Sequence, residues 1–205
     1  MLSETYFGYG QFGFSWGDHI CAIFDSPRQQ MEIMVPFIAA GLRSSQRCTW
    51  IAPPAAANDF RKSLTDLGAD LPTLEGSGQL VMISDVDFYL HEGLFEPSRT
   101  MDLVVVLLDD GRTHGYDAMR VAADVSWLRN TPVDPDLWES YESQVTQQVR
   151  GLPLVQVCQY HRRQVSADMI VTALRTHPIV ILGDAIHRNP FYVTSGDDVP
   201  SQEII

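Results

Sequence analysis

From residue 18 onward, short apolar runs alternate with amphipathic stretches, and this alternation restricts the fold more than any other feature. The apolar runs are rich in β-branched and aromatic residues, which is typical of buried strands. The stretches between them carry apolar side chains three or four positions apart, which is typical of helices packed on one face. Regular alternation of this kind predicts an α/β fold with a mainly parallel central sheet flanked by helices. The predicted strands span residues 19–24, 47–52, 79–84, 119–125, 154–160 and 179–183.

Capping residues indicate where the helices begin. Ser26 followed by Pro27 is typical of a helix start, with the serine as N-cap and the proline as first helical residue. The segment 98–115 is ambiguous, because its run from Val104 to Leu108 also suits a buried strand. Apolar spacing within it and the glycine at its end favour a helix. The predicted helices span residues 27–42, 58–67, 98–114, 134–149 and 166–174.

The chain divides into three predicted parts. Residues 1–17 form an arm in which six aromatic residues are interleaved with four glycines. This arm favours neither helix nor strand, and it suits a mobile arm, a flap over a pocket or a strap packed on the core. Residues 18–194 form one domain, since a chain of 205 residues buries one good core. Residues 195–205 form a polar acidic tail.

Composition excludes several classes of protein. The net charge of −12 disfavours nucleic acids and anionic membranes as partners. No run of about 18 apolar residues exists that could cross a membrane, and the first residues do not resemble a secretory signal. Three widely spaced cysteines suit a reduced intracellular protein better than a disulfide scaffold. We therefore expect a cytoplasmic protein that contacts neither membranes nor nucleic acids directly.

The sequence lacks the parts that hold nucleotide phosphates. Residues 8–13 match the dinucleotide pattern GxGxxG, but they precede the first strand and no helix follows them. The turn after the first strand, residues 24–30, contains neither glycine nor lysine. The single lysine of the chain is Lys62, on a predicted helix. A degenerate nucleotide-binding protein is therefore kept only as an alternative.

Candidate ligand-binding residues cluster where the predicted strands end. In parallel sheets, ligands bind outside the carboxyl ends of the strands. Asp124 closes the fourth strand, and Tyr160 and His161 close the fifth. Trp16, in the arm, is a possible lid over the site. The predicted ligand-binding residues are His19, Cys21, Trp127, Cys158, Tyr160, His161, Trp16 and Asp124.

A subset of these residues has the chemistry of a metal site. His19, Cys21, Cys158 and His161 could converge if the first and fifth strands are neighbours. The alternative to a cofactor-free domain is therefore a zinc- or haem-dependent sensor. A thiol enzyme with Cys21 as nucleophile is a further alternative, although no orienting group or oxyanion hole is evident. We predict no catalytic residue and no cofactor.

Several short motifs resemble one known family. They are residues 16–21 (WGDHIC), 36–42 (PFIAAGL), 120–127 (RVAADVSW), 139–142 (ESYE), 158–160 (CQY), 177–178 (HP) and 189–192 (NPFY). In this order and spacing they resemble the MEDS domain, the DcmR-type sensory domain of methanogens and methylotrophs. The resemblance covers roughly residues 16–193. It implies a three-layer sandwich related to the RecA/KaiC scaffold without its P-loop, and it supports a helix at 98–114.

The resemblance also implies a function. Members of this family are thought to sense small organic molecules such as hydrocarbon derivatives, and they occur with histidine kinases, anti-sigma-type kinases and transcription regulators. We therefore expect a non-enzymatic sensory or regulatory domain that binds a small, largely apolar ligand and signals to a partner protein. A homodimer is possible, and a pure protein-interaction module without a ligand remains a further alternative.

Overall fold

A seven-stranded sheet forms the centre of the computed structural model, which describes residues 5–131 and 133–193. The strands are β1 (Thr5–Tyr6), β2 (Gly13–Phe14), β3 (His19–Phe24), β4 (Arg47–Ala52), β5 (Leu80–Ser84), β6 (Leu90–His91), β7 (Leu94–Phe95), β8 (Met119–Asp124), β9 (Leu154–His161), β10 (Ile179–Leu182) and β11 (Ala185–Arg188). The helices are α1 (Pro27–Arg43), α2 (Ala57–Asp66), α3 (Leu71–Gly76), α4 (Asp85–Tyr89), α5 (Pro97–Thr113), α6 (Pro135–Val149) and α7 (Ala167–Thr176), with 3-10 turns at Pro54–Ala56 and Ser126–Arg129.

Hydrogen bonds order the central sheet β11-β10-β3-β9-β8-β4-β5. The strands from β10 to β5 run parallel, and β11 pairs antiparallel with β10 at one edge. One core lies between the sheet and α1 and α2, and a second lies between the sheet and α5, α6 and α7. We call these two sides the α1 face and the α6 face. This three-layer arrangement confirms the predicted fold class.

The larger elements agree with the sequence prediction. All six predicted strands are present, each with its ends within one residue of the predicted bounds. The ambiguous segment is the helix α5, as predicted, with Val104 and Leu108 on its buried side. The prediction missed α3, α4, the β6–β7 hairpin and β11. These elements are short and partly exposed, so neither helical nor strand periodicity has room to develop in them.

Helix α1 lies across the sheet from its carboxyl edge towards its amino edge. The Ser26 hydroxyl accepts a hydrogen bond from the backbone N–H of Gln29 (3.3 Å), and Pro27 opens the helix. Near the other end, Gly41 lets α1 approach the sheet closely. A Cβ there would lie 2.6 Å from Cys48 Sγ and 2.7 Å from Arg120 Cδ. The α1 face of the sheet therefore depends on a small residue at this position.

The N-terminal arm is a strap packed on the α1 face. Strands β1 and β2 form a hairpin that buries Phe7 and Phe14, and the Phe7 ring lies 4.6 Å from that of Phe37. Gly8 has φ of +116°, and a Cβ there would lie 2.3 Å from the carbonyl oxygen of Pro36. The arm therefore continues the core. The predicted tail, residues 195–205, lies outside the described residues.

Arg120 of β8 attaches the arm to the sheet. Its Nη1 donates to the carbonyl oxygens of Phe7 (2.7 Å) and Phe37 (2.9 Å), and its Nη2 donates to that of Tyr6 (2.9 Å). Its Nε donates to Gln46 Oε1 (2.7 Å). Burial lowers the pKa of the guanidinium to about 10, so it stays protonated at neutral pH. One buried cation on β8 therefore ties the arm, α1 and the turn before β4 together.

None of the helices in residues 5–131 and 133–193 is long and apolar enough to cross a membrane.

We predict that Arg120→Met releases the arm. Methionine fills much of the volume but donates no hydrogen bonds, so several buried carbonyl oxygens lose their partner, and we expect a loss of about 3 kcal/mol in unfolding free energy. Limited proteolysis should then cleave within residues 5–16 while the rest of the domain stays resistant. The exposed Arg129→Met is the matched control and should leave both measurements unchanged. An arm that stays protected in the Arg120 variant would contradict this role.

Candidate functional site

Polar side chains of β9 point to both faces of the sheet. Cys158 and Tyr160 contact residues of α6, while Gln159 and His161 contact Gln30 of α1. This split follows from strand geometry, because successive side chains point to opposite faces. The predicted ligand-binding residues therefore form two separate groups.

The first group lies at the carboxyl edge on the α1 face and is organised by Gln30. Its Nε2 donates to Asp124 Oδ2 and to Gln159 Oε1, both at 2.8 Å. Its Oε1 lies 3.0 Å from His161 Nε2 and accepts from that nitrogen. Asp124 Oδ1 accepts from the backbone N–H of Ser126 (2.8 Å). The first turn of α1 is thus connected to the ends of β8 and β9 through one buried amide.

A cleft of about 440 Å³ opens beside this network. We call it the carboxyl-edge cleft. It lies between the start of α1, the turn after β4 and the turn after β8. Its apolar wall consists of Pro27, Met31, Pro53, Ala55 and Ala56, and its polar end consists of Gln30, Asp124, Ser126, His161 and Gln164.

The charges around this cleft do not suit a phosphate group. The Asp124 carboxylate lines it, as does Asp59. Arg28, the basic residue of its lining, is exposed and paired with Glu32 at 2.8 Å. The turn from Phe24 to Gln30 carries none of the glycine and lysine of a P-loop. The cleft therefore lacks the features that hold nucleotide phosphates.

The second group lies between the sheet and α6. His19 Nε2, Glu142 Oε2, Cys158 Sγ and one nitrogen of His177 all lie within 4.8 Å of one another, and all four residues are buried. We call these four residues the α6-face cluster. Glu142 Oε2 lies 3.5 Å from His19 Nε2, 3.7 Å from His177 Nε2 and 3.9 Å from Cys158 Sγ. His19 Nε2 lies 3.2 Å from Cys158 Sγ.

Neighbouring polar groups hold the cluster in position. Tyr160 donates its hydroxyl hydrogen to Glu142 Oε1 (2.5 Å) and accepts from Trp138 Nε1 (3.3 Å). Gln156 Nε2 donates to Cys158 Sγ (3.4 Å). Because these partners are themselves buried, the side chains of the cluster have little freedom to turn away.

Burial shifts the protonation equilibria of the cluster towards neutral forms. Loss of hydration raises the pKa of Glu142 to about 8, although hydrogen bonds from Tyr160 and Cys158 oppose the rise. Burial lowers the pKa of His177 to about 3. Burial and the neighbouring His177 also lower the pKa of His19. Burial therefore favours uncharged forms of these three groups at neutral pH.

The structure separates His161 from the histidine and cysteine residues with which it was grouped. His161 lies on the α1 face, so the predicted metal set of His19, Cys21, Cys158 and His161 does not assemble. Cys21 is buried on the α6 face, opposite Cys158 in the strand register, but it lies outside the four donor residues. Glu142 and His177 take the places that the prediction gave to Cys21 and His161.

The two tryptophans of the prediction lie away from the carboxyl-edge cleft. Trp127 is buried among aromatic rings on the α6 face, 5.0 Å from Tyr89 and 5.7 Å from Trp138 between ring centroids. Trp16 precedes β3 and packs edge-to-face on Phe14 at the amino edge of the sheet. Trp16 therefore cannot act as a lid over a cleft at the opposite edge.

Comparison with known proteins identifies the family. A family model described as the methanogen/methylotroph DcmR sensory domain, MEDS, matches residues 18–178. The chain belongs to the MEDS family. The match confirms the resemblance that the short motifs indicated, and it supports a sensory or regulatory role for this MEDS domain.

One relative agrees with the family, and one solved structure agrees with the fold. The transcriptional repressor DcmR of Methylorubrum extorquens is 23% identical over 164 residues, which cover 80% of this chain. The match covers 59% of that repressor's own length. A KaiC-like protein from Pyrococcus horikoshii has a TM-score of 0.59 at 9% identity, covering 88% of this chain and 80% of its own. The second likeness shows the RecA/KaiC-like fold.

Sequence reasoning missed four polar residues that organise the two groups. Gln30 and Glu142 each lie on the buried, otherwise largely apolar side of an amphipathic helix. A polar side chain at such a position is the signal that could have identified them. Gln159 lies between two predicted ligand-binding residues, Cys158 and Tyr160, but was not itself among them. His177 precedes a proline and was interpreted as turn chemistry. Position along the chain gives no sign that these residues meet.

We predict that the thiols of the folded domain do not react with an aromatic disulfide reagent at neutral pH. Cys21, Cys48 and Cys158 are all buried, and burial raises the pKa of each thiol, that of Cys48 to about 12. Denaturant should release all three for reaction. Rapid labelling of Cys21 in the native domain would instead favour the thiol-enzyme alternative, which requires a lowered pKa and an accessible sulfur.

Proposed function

We propose that this MEDS domain is a non-enzymatic sensor that binds a small, largely apolar organic molecule in the carboxyl-edge cleft. The observation that carries the proposal is the Gln30 amide, which joins α1 to Asp124 and Gln159 and accepts from His161 at the polar end of this cleft. A ligand that competes for one of these hydrogen bonds changes how the first turn of α1 is held. Asp124 and His161 are the two predicted ligand-binding residues that line this cleft.

The lining indicates the chemistry of the ligand. The apolar wall favours a short hydrocarbon or similarly apolar body. The polar end offers an amide, an imidazole and a carboxylate, which suit one neutral hydroxyl or amide group of the ligand. An anionic group is disfavoured by Asp124, and phosphate has neither a lysine nor a glycine-rich turn to hold it.

Helix α1 provides a route for the signal. It has 17 residues and is therefore about 25 Å long. Gln30 lies in its first turn beside the cleft, while Phe37 and Pro36 contact the arm further along. Ligand binding that favours one position of α1 also favours one arrangement of the arm, and a partner that reads the arm responds to the shift in population.

The partner is a second protein or an output domain. The relative from Methylorubrum extorquens, of which the match covers 59%, is named as the transcriptional repressor DcmR. That name supports coupling of this domain to transcription. A histidine kinase, an anti-sigma-type kinase and a transcription regulator are the partner classes that suit this domain. Cofactor-free ligand binding is sufficient for this function.

We predict that neutral four-carbon probes bind more tightly than the anionic one. The test series is n-butanol, butyramide, butylammonium and butyrate, which share one apolar body and differ in the polar group. Two-dimensional NMR with labelled glutamine side chains should show shifts of the Gln30 amide with n-butanol or butyramide and the weakest response with butyrate, because Asp124 repels it. A native mass spectrum of gently purified protein should be compared with a denatured one to detect a co-purified ligand.

Gln30→Ala and Gln144→Ala form the matched pair for this test. Gln144 is an exposed glutamine of α6, hydrogen-bonded to Ser140, and its replacement should leave probe binding intact. Gln30→Ala should reduce probe affinity roughly tenfold, which corresponds to the loss of about one net hydrogen bond. Equal binding by both variants would place the ligand elsewhere, and the absence of any response to the series would contradict the ligand chemistry proposed.

A further inference from the structure

The α6-face cluster brings two imidazole nitrogens, a carboxyl group and a thiol together in the buried core. His19 Nδ1 contacts Thr146 Oγ1 (2.8 Å), and that hydroxyl donates its own hydrogen to the carbonyl oxygen of Thr176 (2.8 Å). The hydroxyl can therefore only accept from His19, which places the ring hydrogen on Nδ1. The Nε2 of His19 then carries a lone pair, which faces Cys158 and Glu142.

His177 is held in the same tautomer. Its Nδ1 lies 2.9 Å from the carbonyl oxygen of Ala173, which can only accept, so the hydrogen again lies on Nδ1. Its Nε2 is buried, has no hydrogen-bond partner, and lies 3.7 Å from Glu142 Oε2. Buried polar atoms almost always have a partner, and the partner of this lone pair is either a proton carried by Glu142 or a metal ion that replaces that proton.

The distances among the four donor atoms suit a tetrahedral ion. Bonds of zinc to nitrogen, oxygen and sulfur at their usual lengths place the ligand atoms about 3.3–3.7 Å apart. The separations from Glu142 Oε2 to the two histidine nitrogens are 3.5 and 3.7 Å, and its separation from Cys158 Sγ is 3.9 Å. His19 Nε2 lies 3.2 Å from Cys158 Sγ. These four separations lie within a few tenths of an ångström of tetrahedral values, and the donor atom of His177 lies within 4.8 Å of those of His19 and Cys158.

We propose that the α6-face cluster is a closed zinc site, with His19 Nε2, His177 Nε2, Glu142 Oε2 and Cys158 Sγ as ligands. Binding of Zn²⁺ displaces one proton from the thiol of Cys158 and one from the carboxyl group of Glu142, and both protons pass to solvent. The thiolate and the carboxylate then balance the two charges of the ion. A buried site of zero net charge avoids the large penalty of an isolated buried ion.

The residues around the cluster match what a metal site requires of its surroundings. Each histidine donates its Nδ1 hydrogen to an oxygen, which orients the ring and increases the basicity of the ligating Nε2. Tyr160 donates to the second oxygen of Glu142, and Gln156 donates to the sulfur of Cys158. Donor atoms that all lie within 4.8 Å of one another enclose a single ion, not a porphyrin, so haem does not fit here.

The choice of metal follows from the donor set. Two imidazoles, one thiolate and one carboxylate form a mixed nitrogen, sulfur and oxygen set that is typical of zinc. Calcium and magnesium are excluded because they require oxygen ligands. This inference uses no residue of the carboxyl-edge cleft, so either proposal can fail without the other.

Metal content is the first measurement. The full chain, expressed in medium supplemented with zinc, should carry one zinc ion per polypeptide by elemental mass spectrometry. The ion should resist chelator in the folded protein and leave on denaturation, because the site is buried. Refolding with Co²⁺ should produce the visible bands of a tetrahedral cobalt centre and a near-ultraviolet thiolate-to-cobalt band. Wild-type protein that binds neither ion, as purified or after refolding, would overturn the proposal.

Cys158→Ala and Cys21→Ala form the matched pair. Both replace a buried cysteine on the same face of the sheet, at positions opposite each other in the strand register. Cys158→Ala should lose the metal and the thiolate-to-cobalt band, whereas Cys21→Ala should keep both. Equal loss of metal in the two variants would contradict the assigned ligand set.

Thr146→Val keeps the test decisive if Cys158→Ala does not fold. Valine has nearly the same shape as threonine but cannot accept from His19 Nδ1, so the ligand set stays complete while its orientation is weakened. We expect zinc affinity to fall roughly 10- to 100-fold, as is typical when such an outer partner is removed. The cobalt spectrum should keep its thiolate band. Unchanged affinity would show that Thr146 and His19 do not serve a metal.

Discussion

Strand β9 is buried along its whole length, yet five of its eight residues carry a hydrogen-bonding side chain. A polar atom buried without a partner costs free energy, so each of these side chains requires a partner from an adjoining layer. Gln30 of α1 meets Gln159 and His161 on one side, and Glu142 of α6 meets Tyr160 on the other. These hydrogen bonds fix the positions of both helices along the sheet more specifically than apolar packing alone. Each bond forms only when the helix and β9 are correctly aligned.

The α1 face connects the two edges of the sheet. At the carboxyl edge, α1 begins with the Gln30 amide in contact with the ends of β8 and β9. At the amino edge, Arg120 donates to carbonyl groups of both α1 and the arm. A displacement of α1 along its axis therefore disturbs directed hydrogen bonds at both of its ends. This is the physical basis on which ligand binding at one edge can alter the arm at the other edge.

Sequence alone predicted the layers of this fold well, because apolar runs and capping residues are local signals. The strand β3 and the start of α1 at Ser26 and Pro27 needed no tertiary information. The site was predicted less well. Alternation along a strand shows which residues share a face, but it does not show which helix covers that face or which strands lie next to it. His19 and Cys158 were correctly placed together by assuming adjacent strands, whereas His161 belongs to the opposite face by strand alternation.

Glu142 and His177 show why the rest could not be predicted. Glu142 lies on the buried side of α6, where a carboxyl group is unfavourable unless something compensates for it. Its compensation comes from β3, β9 and the end of α7, segments that are distant in sequence and meet only in the folded domain. Nothing in the order of residues along the chain specifies that convergence.

The two proposals place different tasks on the two faces of β9. The α1 face carries the proposed ligand cleft, and the α6 face carries the proposed metal site. A centre with four protein ligands leaves no position open for an exchanging ligand, which is typical of structural rather than sensing metal sites. The proposed ion holds Cys158, while the adjacent Gln159 and His161 face the carboxyl-edge cleft. Fixing one set of side chains on a strand limits the motion of the alternate set, because they share a backbone. On the two proposals together, rigidity on the α6 face would concentrate the response to a ligand in α1, the element that contacts both the cleft and the arm.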